Sequence, residues 1–136
     1  MKQFVNIPAT VIAFLVFGFF SSTASAHEMV PTYPRLFPSY VDGVYRTTIQ
    51  LFNKRADVEF YEFGVFDTDF KPIPFVTAYT VIKVEYLAKV TVDIFIRKSD
   101  ISRATYICSQ SKLRKTDNVR TAVSSRICSK FEGARK

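Results

Sequence analysis

Tryptophan is absent from this chain, and histidine occurs once, at His27. A Ser-His-Asp triad would have to recruit that single imidazole, and a multi-histidine metal centre cannot be built. Glycine is scarce, with three after residue 26 (Gly43, Gly64 and Gly133). No G-x-S-x-G turn, Walker loop or glycine-rich phosphate cradle is present. Asp67 and Asp69 are the one acidic pair on a loop. Acid/base hydrolysis needs two carboxylates held across a pocket, whereas aspartates at i and i+2 are turn formers, and two are too few for a calcium loop. An apolar 3.6-residue period of helix length is missing after residue 26. These absences predict a protein that is not an enzyme and carries no cofactor.

What is present begins with an export signal. Lys2 is the only charge in the first 26 residues, Ile7 to Phe20 is apolar, and Ala24-Ser25-Ala26 forms an A-x-A cleavage pattern. The run suits a signal h-region and is short for a membrane span. Residues 1–26 are therefore expected to be a cleaved signal helix, and residues 27–136 one periplasmic or secreted domain. No cysteine lies near the cleavage point to carry a lipid.

Cys108 and Cys128 are the only cysteines. Export permits a disulfide, and two cysteines allow one intramolecular pairing. They lie in near-copies of one phrase, Tyr106-Ile107-Cys108-Ser109 and Arg126-Ile127-Cys128-Ser129, with the turn-rich Thr116-Asp117-Asn118-Val119 midway. A hairpin folding there sets the thiols opposite each other. Closing a loop of about 20 residues is worth about 3 kcal/mol by chain entropy.

The remaining chain reads as short strands about ten residues apart. His27 to Tyr40 holds Pro31, Pro34 and Pro38 and is read as an irregular or edge segment. Val44 to Phe52 alternates, with Ile49 and Leu51 on one face and Thr48 and Gln50 on the other. Val58 to Phe66 is aromatic on both faces and reads as a central strand or one with a face covered by another segment. Lys71 to Phe75, with two prolines, reads as an edge or crossing strand, and Val81 to Tyr86 as a further strand. Val90 to Lys98 alternates most cleanly, with Val92, Ile94 and Ile96 facing one way. Ser99 to Ser102 is a turn or one helical turn. The expected fold is all-β, a single antiparallel immunoglobulin-like sandwich ending in the disulfide hairpin.

From Tyr45 to Ile96 the chain resembles the N-terminal domain of periplasmic pilus chaperones. The likeness rests on the strand ending in Leu51-Phe52-Asn53, the strand ending near Val65-Phe66-Asp67, the stretch Ile73-Pro74-Phe75-Val76-Thr77, and the Val90–Ile96 strand. It implies a sandwich and a chaperone-like role. Such chaperones have two domains and clamp a subunit's terminal carboxylate with an Arg and a Lys between them; Arg35 lies near the early position. Residues 27–136 also resemble small exported proteins of tailed phages, which implies a structural or cell-surface role as the alternative.

Charge is unevenly spread. Residues 27–111 hold ten basic and ten acidic side chains, whereas residues 112–136 hold eight basic and two acidic ones. Lys112, Arg114, Lys115, Arg120, Arg126 and Lys130 mark the hairpin as a candidate surface for a protein partner or an anionic cell-surface glycan or lipid. Export argues against nucleic acid. Binding to another exported protein is expected through an edge strand or this hairpin; Val44–Phe52 or a proline-flanked neighbour could accept a partner strand by β-addition. As the first residue after cleavage, His27 offers an amine and an imidazole to copper, with Glu28 or an acidic loop residue to complete a weak site. The plainer reading of His27 is a frayed terminus.

Overall fold

The computed structural model describes residues 26–112 and 123–133. Among the described residues, nine strands form two antiparallel sheets. In the first sheet, β3 (Val44–Phe52) is central. Along one edge it pairs with β1 (Glu28–Val30) and β2 (Phe37–Pro38), and along the other with β7 (Lys89–Arg97). In the second sheet, β4 (Phe60–Phe66) pairs on one side with β5 (Pro72–Ile73) and β6 (Val81–Lys83). On its other side lies β8 (Tyr106–Lys112), followed by β9 (Arg126–Lys130). A single helical turn, α1 (Lys98–Ile101), joins β7 to β8.

Alternation explains the layering. β-branched and aromatic residues favour the pleated strand, and each strand sends every second side chain inward. Ile49 and Leu51 from β3, Ile94 and Ile96 from β7, and Tyr61 and Val65 from β4 are almost fully buried between the sheets. Each large aliphatic side chain buried this way contributes about 1.5–3 kcal/mol. The opposite positions of β4 and β8 (Phe66, Tyr106, Gln110) form the outer face of the second sheet.

The sequence reading of Val44–Phe52 as a partner-accepting strand is corrected here. β3 pairs with β7 along its whole length and on its other side with β1 at residues 50–52 and β2 at residues 45–46, which leaves no run long enough to receive a partner strand. Among the described edge strands, β1, β2 and β5 are short elements beside prolines, whereas β7 runs for nine residues and is bridged on its outer side from Phe95 to Val76.

The segment before β3 crosses between the sheets. β1 pairs with β3, the Val30–Pro31 peptide is cis, and residues 32–34 then turn to the other sheet. There the Lys130 N–H donates to the Thr32 carbonyl at 3.1 Å and the Glu132 N–H to the Pro34 carbonyl at 3.0 Å. β2 returns to β3. This strap closes one side of the sandwich.

Candidate functional site: an open strand edge beside a buried polar cluster

The edge belongs to β9. Its odd residues, Ile127 and Ser129, sit in the hydrogen-bonded register with β8, opposite Ser109 and Ile107. Its even residues turn their backbone outward, as the Lys130 and Glu132 bonds to the strap establish. Among the described residues, the outward N–H and C=O groups of Arg126 and Cys128 have no hydrogen-bond partner. The stretch 126–128 is therefore a short sheet edge able to receive an extended chain.

The two cysteines fix this edge. Cys108 and Cys128 are directly opposite in the β8–β9 register, and the disulfide joins them with a Cα–Cα distance of 4.0 Å. The expected pairing is thus present, within one sheet. Gly64 lies opposite Cys108 on β4. A Cβ there would meet the Phe66 ring at 2.7 Å, so the missing side chain is what lets that ring lie across the sheet.

The basic residues of the hairpin divide. Arg126 donates to Gln110 Oε1 at 2.7 Å and holds its guanidinium 5.6 Å from the Phe66 ring centroid. Lys112 pairs with Glu62 at 2.5 Å, and Lys130 lies opposite Tyr106 at the end of β9. These three share the outer side of the second sheet. Arg114, Lys115 and Arg120, with the turn Thr116–Val119, lie outside the described residues, as do residues 1–25 of the segment 1–26 expected to be a signal. Arg35 makes a two-point ion pair with Glu132, just beyond β9, and its hydrogen bond holds the Glu132 carboxyl below the ordinary range.

Inside the sandwich, next to the same edge, polar groups replace the apolar core. The inward positions of β8 are Ile107, Ser109 and Ser111, so its far end presents hydroxyls. His27 is buried against them at 2 % exposure, which corrects the frayed-terminus reading. Its Nε2 lies 2.8 Å from Ser109 Oγ, its Nδ1 3.3 Å from Ser125 Oγ, and its ring 4.7 Å from that of Tyr61. Burial lowers the imidazole pKa from its ordinary value; the backbone hydrogen bond with Ser109 opposes this and the Arg55 charge adds to it. Both ring nitrogens face hydroxyls. No group of three or more His, Cys, Asp or Glu side chains able to hold a metal comes together among the described residues.

Arg55 is the charged member of the cluster, at 5 % exposure. It pairs with Asp57 at 2.7 Å and donates to Ser125 Oγ at 3.2 Å and the Val123 carbonyl at 3.0 Å. Asn53, fully buried, was legible in the sequence only as part of a polar turn. Its amide donates to the carbonyls of Val58 and Val84, both at 2.8 Å. Its oxygen accepts from the Arg55 N–H at 2.8 Å and from the Tyr61 hydroxyl at 2.5 Å. Burial pushes the Tyr61 pKa up to about 12, so the phenol stays a donor. Asp67, by contrast, caps its own loop, accepting from the backbone N–H groups of Asp69 and Lys71 at 2.9 Å.

Neither a protein-family profile nor a curated protein sequence matches the chain. Among solved structures, the E. coli chaperone DraB superposes with a TM-score of 0.58 at 17 % identity over 78 % of this chain. The match covers 53 % of DraB, so this chain spans about half of that chaperone's length. The fold of this chain is accordingly the two-sheet, immunoglobulin-like sandwich that its resemblance to pilus chaperones implied, shared here with a known chaperone.

Proposed function

We propose that this chain is a non-enzymatic exported module that binds another exported protein, as a chaperone or assembly accessory does. The observation that carries the reading is the edge of β9 at Arg126 and Cys128, whose outward backbone groups have no partner among the described residues. A partner strand adding there would gain main-chain hydrogen bonds without disturbing β8. Similarity of fold to DraB supports the same class. The disulfide supports an oxidising compartment, in keeping with a signal cleaved after Ala26.

The geometry supplies a selective test. The Arg126 N–H points away from β8, so proline at this position removes an edge donor while the ladder to β8 remains. In pull-downs of the exported protein, Arg126→Pro is expected to lose the protein that co-purifies with wild type, while Arg126→Gln, which removes only the charge, retains it. Equal capture by all three would refute strand addition at β9.

The excess of basic residues in 112–136 favours a second reading, a phage-encoded structural or cell-surface-interacting protein that touches an anionic glycan or lipid through the hairpin. Salt-sensitive retention on heparin or anionic vesicles, unchanged in Arg126→Pro and without a co-purifying protein, would favour it.

A further inference from the structure

We propose that His27 is an acid-sensitive latch that holds β1 across the open side of the sandwich. β1 is three residues long and packs beside β9 as well as pairing with β3. Its core anchor is Met29, at 5 % exposure. His27, immediately before it, is the polar anchor, with hydrogen-bonding contacts to Ser109 on β8 and to Ser125 just ahead of β9. One imidazole therefore ties the strap of the first sheet to the last two strands of the second.

The surroundings of the ring suit its neutral form. Facing it are the Tyr61 phenol on β4, the hydroxyls of Ser109 and Ser125, and the guanidinium of Arg55 with its partner Asp57 from the β3–β4 loop. A proton on His27 would place a second cation in a buried pocket that already holds Arg55. On β1 itself, Glu28 pairs with Lys54 at 2.5 Å, and that hydrogen bond holds its carboxyl below the ordinary range. Lowering of the His27 pKa gives the sign: a released imidazole takes up its proton first. The hold on β1 is complete above about pH 6.5 and weakens as pH falls through that value.

The consequence for the open edge rests on the strand-accepting reading above; the latch itself does not. Residues 32–34, which continue β1, already bond to Lys130 of β9 and to Glu132 just beyond it. Freeing β1 would clear the approach to the neighbouring stretch 126–128. A partner strand would then meet a more accessible edge in acid than at neutral pH.

Amide hydrogen exchange of the full chain, expressed as protection factors from pH 7.5 to 5.0, tests the latch without any partner. The expected result is that protection of the β1 amides falls by about tenfold per pH unit below 6.5 until the held imidazole itself titrates, while central β4 amides fall less. In His27→Gln, which keeps a hydrogen-bonding group and loses the titration, β1 protection should not change with pH. Wild-type protection that is flat, or an equal loss in His27→Gln, overturns the latch. Should the variant fail to fold, the wild-type imidazole resonances decide: a midpoint at or above 6.5 overturns it, and one below 6.5 that tracks β1 protection upholds it.

Discussion

Asn53→Ala is expected to destabilise the domain by about 3–5 kcal/mol, the largest effect of any single substitution considered. The side chain is 0 % exposed and makes four hydrogen bonds. Alanine leaves the Val58 and Val84 carbonyls, the Arg55 N–H and the Tyr61 hydroxyl facing a cavity. Each buried group left unpaired costs about 1–3 kcal/mol, partly relieved wherever water enters. The same bonds tie the end of β3 to the start of β4 and to the segment after β6, so the loss is felt across both sheets. Asn53→Asp should also destabilise: a carboxylate can accept from Arg55 and Tyr61 but turns acceptors toward two carbonyls. Urea denaturation gives the value, and a shift below about 1 kcal/mol for Asn53→Ala would show that these bonds are replaced by solvent.

Removing the disulfide with Cys108→Ala and Cys128→Ala together should cost about 2–4 kcal/mol. The bond closes a loop of sequence separation 20. That loop gains conformational freedom in the unfolded chain once the link is cut. Alanine is preferred to serine because Cys108 is 2 % exposed, and a new hydroxyl there would add its own burial cost. Equal denaturation midpoints for wild type and the double variant would contradict the prediction. The bond also serves the site: β9 reaches the rest of its sheet only through β8, and the link sits within the stretch whose outer edge is open.

The strands were the legible part of this sequence. Val44–Phe52 coincides with β3, and Val90–Lys98 differs from β7 by one residue at each end, because strict alternation of β-branched with polar residues has one structural meaning. Val58–Phe66, aromatic on both faces, is the central β4, though the strand itself starts at Phe60. Which strands are central and which are edges was less legible. Opposite β7, the residues that flank β3 come from strands of three and two residues among prolines, too short to show a period. The polar cluster was hidden by distance, since His27 and Ser109 are 82 residues apart. One local sign was available: in the repeated Ile-Cys-Ser phrase, serine takes the position that alternation assigns to the core. Two serines on the inward face of β8, at 109 and 111, called for a buried polar partner.

The most direct test of strand acceptance at β9 is residue-resolved hydrogen exchange of the protein alone and in complex with the exported protein it captures. The account predicts that the amides of Arg126 and Cys128 exchange freely alone and become protected in the complex, while those of Ile127 and Ser129 are protected in both. A stable complex in which the Arg126 and Cys128 amides still exchange freely would contradict it, and would place the binding surface elsewhere on the domain.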